Sequence, residues 1–308
     1  MSSLFITGAT GFIGRSLVSK LDPANYRSVY CLSRAGAAES FATENHIQVV
    51  KGDLCEPESY AGALDSCRTV VHLAAVTGKA AREQYFEVNA RGAEKLIEQC
   101  ERSGVENFLY VSTIAVKYPD KSRYYYAQSK ELGEAAVKAS RLRYLIVRPT
   151  IVIGPGGGAW RALSTLARGP LVALPGDGKA RMQPIALEDL VACLRTILAE
   201  NLFTNEILEL GGPEALTCEQ FLKRIHARYH GKEPTVFRLP LKPLIAMLSV
   251  MEKIFPSVAP VTVGQLSAFW QDGAAEPINA PSLAGLRTTS VDQLIERMAA
   301  YERSHNGA

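Results

Sequence analysis

Paired cysteines are missing from this chain. Its six cysteines, at 31, 55, 67, 100, 193 and 218, never form a Cys-x-x-Cys arrangement, which suits reduced thiols in a cytoplasmic compartment and gives no basis for a metal centre. No apolar run approaches the roughly 18 residues that a membrane-spanning helix needs. A net charge of +3 is spread over 308 residues, so there is no basic block to follow a nucleic-acid backbone, and that partner class is excluded. No basic segment leads into an apolar one at the beginning, so no signal peptide is expected. Internal repeats, low-complexity tracts and long linkers are absent as well. What is present is an ordinary globular composition, 47% hydrophobic and 21% charged. A chain of this size can bury a large core and is long enough to begin dividing in two.

The first half alternates strand-like and helix-like segments joined by short Gly, Pro and Asp turns, the pattern of βαβ units on a parallel sheet. Strands are predicted at 3–7, 27–33, 47–51, 69–74, 107–112 and 143–148, and helices at 12–21, 57–65, 82–103, 124–140 and 188–200. The cluster Gly154-Pro155-Gly-Gly-Gly158 reads as a joint leading to a region that caps a substrate. The segment Asn205–Leu210 reads as a further strand. Two domains are therefore expected: 1–154, with 185–212 returning to it, and a capping part built from 155–184 and 213–308.

Directly after the apolar strand Leu4-Phe5-Ile6 stands Thr7-Gly-Ala-Thr-Gly-Phe-Ile-Gly14. Gly8 permits a tight turn, Gly11 lets backbone N–H groups approach a phosphate, and Gly14 lets the following helix pack closely on the strand. That helix would direct its partial positive charge at the anion. Three glycines in a turn also serve as punctuation alone, and the turn by itself does not choose. Further along, Tyr126-Ala-Gln-Ser-Lys130 follows Phe108-Leu-Tyr-Val-Ser112-Thr113. A spacing of four puts Tyr126 and Lys130 on one helix face, one turn apart.

The order of these motifs, together with Gly52-Asp53-Leu54, His72-Leu73-Ala74-Ala75 and Arg148-Pro149, resembles the extended short-chain dehydrogenase/reductase family. The resemblance covers residues 3–155 well and thins towards 215. It implies an α/β fold, a Rossmann-type doubly wound parallel sheet with a smaller C-terminal substrate-capping region. It also implies a cofactor cradle of Gly8, Thr10, Gly11, Phe12, Ile13 and Gly14, with Asp53 and Leu54 flanking the adenine and Leu73, Ala74 and Ala75 underlying the cofactor. Pro149 and Thr150 would line the nicotinamide side. Tyr126 would be the proton donor or acceptor, Lys130 would hold the nicotinamide ribose, and Thr113, ahead of its neighbour Ser112, would bond the reacting oxygen. Lys130 is expected to lower the Tyr126 pKa from near 10 towards neutrality: a unit charge about 4 Å away at an effective dielectric of about 20 is worth roughly three pKa units. Asn89 recurs in the family and is read as tying a helix to the sheet. In this family helices like 82–103 and 124–140 pair two subunits, which implies a homodimer.

At the end of the second strand Ser33-Arg34 stand where a carboxylate would accept the ribose hydroxyls of NAD. A guanidinium holds a 2′-phosphate instead, so NADP(H) is the expected cofactor and NAD(H) the weaker fit. Ile114 and Ala115 follow Thr113 where dehydratases of the family carry an acidic pair, so dehydration is not expected. Ile151, Ile153 and Ala186 occupy positions where epimerases carry polar anchors for a sugar nucleotide. Arg181, with Arg161 and Lys179, is the counterweight, because converging cations would restore a diphosphate site. Ile151, Ile153 and Arg181 are accordingly the candidate substrate residues. The expected activity is an NADPH-dependent reduction of a ketone or aldehyde on a largely apolar small molecule. A nucleotide-sugar epimerase or reductase stays open as an alternative, as does a non-catalytic NADP-binding scaffold. The latter rests on the stretch 211–270, which is similar to the atypical branch that includes the dehydrogenase-like accessory subunit of respiratory complex I. Apolar residues at 244, 245, 248, 251, 254 and 255 form a helical stripe that reads first as a core face, with a lid over an apolar substrate and a membrane-surface contact as the alternatives. His226 and His230 share a helix face without an evident third ligand, so no metal site is expected.

Overall fold

The computed structural model describes residues 2–34, 47–254, 262–276 and 288–305. Six strands run through the first half, with described helical segments between all consecutive pairs except β2 and β3: β1 (Ser2–Thr7), β2 (Tyr26–Ser33), β3 (Ile47–Lys51), β4 (Cys67–His72), β5 (Asn107–Val111) and β6 (Arg143–Pro149). With a strand at Glu206–Leu210 they form a seven-stranded sheet in the order (206–210)–β6–β5–β4–β1–β2–β3. All pairings among β1 to β6 are parallel. A parallel sheet is covered on both faces, which is why Leu4, Phe5 and Ile6 run apolar without alternation and are all inaccessible to solvent. The order reverses between β1 and β4, and in such sheets ligands bind beyond the carboxyl ends of the strands at that reversal.

The helices are α1 (Phe12–Val18), α2 (Ala61–Leu64), α3 (Arg82–Tyr85), α4 (Gly92–Arg102), α5 (Tyr125–Ala139), α6 (Gly158–Arg168), α7 (Leu187–Ala199), α8 (Cys218–His230), α9 (Leu241–Ile254), α10 (Val263–Leu266) and α11 (Val291–His305). The predicted helix 57–65 is instead a 3-10 turn at Pro57–Ser59 followed by α2. Ser59 accounts for the break, because its hydroxyl binds the Glu56 carbonyl at 2.6 Å and receives the Asp53 N–H at 3.1 Å. The predicted helix 82–103 is helical throughout but contains a π-helical stretch at Phe86–Arg91 between α3 and α4. A wider turn of that kind carries one extra residue, and here it directs Asn89 inwards.

The chain divides into two compact units, the first comprising residues up to Val116 with Tyr125–Arg148 and Val191–Leu208, the second comprising Lys117–Tyr124, Pro149–Leu190 and Glu209–Ala308. Residues 117–124 go with the second unit because Gln271 bonds the Asp120 backbone twice, accepting its N–H at 3.0 Å and donating to its carbonyl at 2.8 Å. The first unit's core sets Phe5, Val70, Phe108 and Ile146 of the sheet against Tyr60, Leu64, Leu96 and Val137 from the helical side. Each such side chain contributes about 1.5–3 kcal/mol on burial. The second unit gathers Trp160 of α6, Phe221 of α8 and Leu294 of α11 around a separate core. In a second, smaller cluster Leu248 of α9 is buried with Val263 and Leu266, and Leu244, Ile245 and Met251 pack against it, so the described part of the stripe on α9 is a core face. Phe255 and Pro260–Val261 of that sequence pattern lie outside the described residues. No helix among the described residues is long and apolar enough to cross a membrane, and all six cysteines are free.

Candidate active site

The turn after β1 is built for close approach. Gly8 has φ +73°, and a Cβ there would lie 2.5 Å from the Ala74 nitrogen; a Cβ on Gly14 would lie 2.1 Å from the Gly8 oxygen. Neither position tolerates a side chain, so β1, the loop after β4 and α1 share one tight corner. Gly11 caps α1 with no side-chain bond. Thr10, Phe12 and Ile13 are half-buried around this corner, and the Thr10 carbonyl accepts the Arg15 Nε–H at 2.8 Å. Leu73, Ala74 and Ala75 follow β4 as half-buried residues, and the Ala74 N–H donates to Thr7 Oγ1 at 3.3 Å. These residues fit a dinucleotide: Gly11, exposed at the N-terminus of α1, presents backbone with no side chain over it at the sheet's reversal point.

At the end of β2, Ser33 is buried and its hydroxyl donates to the Arg34 carbonyl at 3.2 Å, whereas Arg34 is exposed. Asp53 is half-buried, with Oδ1 accepting the Cys55 N–H at 2.8 Å. Leu54 is a core residue whose carbonyl accepts the Tyr60 hydroxyl at 3.1 Å.

Tyr126 and Lys130 lie on the inward face of α5, which also buries Ser129, Gly133 and Glu134. Asn89 locks this face in place: its Oδ1 accepts the Val76 N–H at 2.7 Å, and its Nδ2 donates to the Val76 carbonyl and to Ser129 Oγ, each at 3.0 Å. Ser129 in turn donates to the Tyr126 carbonyl at 2.8 Å. Asn89 thus ties its helix to the loop after β4 and to α5, and not to a strand of the sheet as the sequence reading had it. Thr113 is half-buried, its Oγ1 accepting the Ala115 N–H at 3.3 Å, whereas the Ser112 hydroxyl is buried without a hydrogen-bond partner among the described residues.

The electrostatics correct one expectation. Lys130 does not bring the phenol towards neutrality: burial, with the Tyr85 side chain second, pushes Tyr126 up to about 12. Lys130 itself is pushed down to about 7 by burial, opposed by Glu134. The notional 4 Å pair in a dielectric of about 20 ignored that both groups leave water together, and desolvation disfavours each charged form. Lys130 Nζ sits 4.0 Å from the centre of the Tyr110 ring and has no hydrogen-bond partner among the described residues. On β4, neighbouring β5, His72 stacks on Tyr110 at 5.4 Å and bonds Thr7 Oγ1 through Nδ1 at 2.6 Å. Burial first, and the Lys130 charge second, hold the His72 pKa well below the usual histidine range. Tyr110 and Glu134 were not singled out from sequence. The four-residue step from Lys130 to Glu134 was the available signal.

The remaining candidates belong to the second unit, where Pro149 is its first residue after Arg148. Thr150 donates its N–H to the Leu210 carbonyl at 2.9 Å and its hydroxyl to the Gln183 carbonyl. Ile153 and Ala186 are core residues with no accessible surface, and Ile151 is half-buried against them. Of the pair 151 and 153, only Ile151 has surface to offer a ligand. Arg161, Lys179 and Arg181 are exposed. His226 and His230 stack at 4.3 Å, and their nitrogens face the Ala167 and Arg168 carbonyls.

Residues 4–211 match the profile described as the NAD dependent epimerase/dehydratase family. The chain is 32% identical over 240 residues to a ceramide reductase of Caulobacter vibrioides, a match covering 76% of this chain and 73% of that protein. It is 26% identical over 287 residues to a 2-alkyl-3-oxoalkanoate reductase of Shewanella oneidensis, covering 83% and 73%. The crystal structure of gox2253 superposes with a TM-score of 0.78 at 21% identity, covering 99% of each chain, a likeness of fold.

Proposed function

The chain belongs to the NAD-dependent epimerase/dehydratase family, the extended short-chain dehydrogenases, and from that premise we propose that it is an NADPH-dependent reductase of a ketone or aldehyde on a largely apolar molecule. It is an NAD(P)-dependent oxidoreductase; the direction, the cofactor choice and the substrate class are the proposal. The observation that carries it is the placement of Tyr126 and Lys130 together on the inward face of α5. Burial pushes the phenol up to about 12, so at neutral pH it holds the proton that a carbonyl oxygen would take.

In this reading the glycine corner, Asp53 and Ala74–Ala75 hold the dinucleotide, which when bound supplies the hydride. Tyr126 O–H donates to the carbonyl oxygen, the Thr113 hydroxyl orients that oxygen, and Lys130, titrating near neutrality, supports the phenolate left after donation. Arg34 in place of an acid favours the 2′-phosphate, so NADPH should bind about 10- to 150-fold more tightly than NADH. Calorimetry of wild type and Arg34→Ala checks this; equal affinities for the two cofactors would sink it.

Apolar substrates are supported by Ile151, which of the positions 151, 153 and 186 alone keeps accessible surface and carries no polar group, since an unpartnered diphosphate is costly to desolvate. The names of the two reductase relatives point the same way. A pairing of two subunits through α4 and α5 is supported by Leu132, half of whose surface is exposed on α5. The test is NADPH oxidation with 3-oxo esters and long-chain ketones beside UDP- and dTDP-sugars. Turnover of an apolar ketone is expected. Stabilisation or turnover with sugar nucleotides alone would favour an epimerase.

A further inference from the structure

Lys130 stands in an unusual position for a cation. It is almost fully buried on α5, and Nζ has no hydrogen-bond partner among the described residues. The groups facing it from each packed element are Tyr110 on β5, whose ring lies 4.0 Å below Nζ, His72 on β4, stacked on that ring, and Tyr126 one turn earlier on α5. None of these is an anion at neutral pH. The carboxylate that faces the lysine is Glu134, one turn further along α5 and itself nearly inaccessible.

Glu134 is not free to swing. Arg148 on β6 grips it with two parallel bonds, Nε to Oε1 at 2.8 Å and Nη2 to Oε2 at 2.6 Å, while Lys138 approaches Oε2 only to 3.8 Å from the exposed side. A two-point grip of this kind fixes both the place and the plane of a carboxylate. Tyr110 passes close beneath the helix at the preceding residue, where a Cβ on Gly133 would lie 2.1 Å from its hydroxyl.

We propose that the Glu134–Arg148 pair is a positioning device for Lys130, in which β6 clamps the carboxylate one helical turn from the lysine and so keeps a proton on an ammonium that no hydrogen bond holds. This deepens the reading of Lys130 as part of the reaction centre and rests on it. Two charges a helical turn apart at an effective dielectric of about 20 alter proton affinity by more than about tenfold, and the guanidinium beyond trims that effect. The directions agree, since burial lowers the Lys130 pKa and Glu134 is the group that raises it.

The experiment follows the Lys130 side chain directly, by NMR titration of protein labelled with 13C at lysine Cε, the resonance being assigned by its loss in Lys130→Met. In Glu134→Gln the proton affinity of Lys130 should fall about three- to tenfold, whereas Arg148→Lys should stay within about twofold of wild type. If Glu134→Gln does not fold, Glu134→Gln/Arg148→Gln keeps a neutral hydrogen-bonded pair and should show a fall in the same direction but smaller, because the guanidinium charge leaves with the carboxylate. An unchanged Lys130 titration in whichever of these variants folds would overturn the proposal. Because the readout involves no substrate, it stands apart from the ketone-reduction assay; failure there with the titration shift present would fault the reductase reading alone.

Discussion

The two ends of the same pair of strands treat buried polar residues in opposite ways. At the entry to β4 and β5, Thr69 pairs with Asn107 across the sheet; at the exit, three residues later, His72 pairs with Tyr110. Asn107 is saturated: its Nδ2 donates to Thr69 Oγ1 at 3.2 Å and Asn201 Oδ1 at 3.1 Å, and its Oδ1 accepts from Arg143 at 2.8 Å. At the exit, His72 Nε2, Tyr110 OH, Ser112 Oγ and Lys130 Nζ are buried with no hydrogen-bond partner among the described residues. Such groups cost stability. A protein that satisfies both amide N–H groups of Asn107 at one end and leaves four buried atoms without a partner among the described residues at the other marks the second end as the place where stability has been exchanged for reactivity.

The largest effect expected from breaking this contrast is at Tyr126. Tyr126→Phe should fold and bind NADPH while losing at least about 100-fold in turnover, since a positioned proton donor contributes about 10²–10⁴. Retained activity on any substrate that wild type reduces would remove Tyr126 from the chemistry.

Next is Lys130→Met, which should abolish most turnover yet stabilise the fold. The lysine's pKa falls from 10.5 free to about 7 folded, so the folded protein binds fewer protons than the unfolded chain between those values. The penalty therefore begins as pH drops through 10.5 and is complete near 7. A gain of about 2–4 kcal/mol at pH 7, shrinking towards zero above pH 10.5, is expected from denaturant unfolding of both proteins. A destabilised Lys130→Met at pH 7 would show that the ammonium is better supported than its surroundings indicate.

At the entry end the sign reverses. Asn107→Ala should lose about 1–3 kcal/mol of stability, because Thr69, Asn201 and Arg143 each lose a partner, with kcat unchanged. A fall in kcat without a fall in stability would break the division between the ends. The smallest effect belongs to Arg68, which pairs with Glu106 at 2.7 Å but with both side chains about half exposed. Arg68→Ala should shift stability by less than about 1 kcal/mol, a difference that urea unfolding can bound.

Much of this was legible in the chain itself. Strands at 107–112 and 143–148 differ from the observed β5 and β6 by one residue at an end, because short apolar runs bounded by turn residues suit strands buried on both faces of a parallel sheet. The corner at Gly8 and Gly14 was legible because a missing Cβ is a property of the residue alone. The inward direction of Asn89 was not, since it depends on a π turn that local propensity does not announce. Nor was the break at Ser59, where one hydroxyl competes for backbone groups.

The sequence by itself determined the positions of the strands, the glycine corner, the absence of a carboxylate at the end of β2 and the one-turn spacing of Tyr126 and Lys130. These follow from residue identity and from the periods of helix and strand. Only the tertiary structure decided the protonation of that pair, the stacking of Lys130 and His72 on Tyr110 and the grip of Arg148 on Glu134. Burial is set by every element at once, and the same spacing that would make an ion pair in water gives, in a desolvated pocket, a protonated phenol at about 12 and a lysine at about 7.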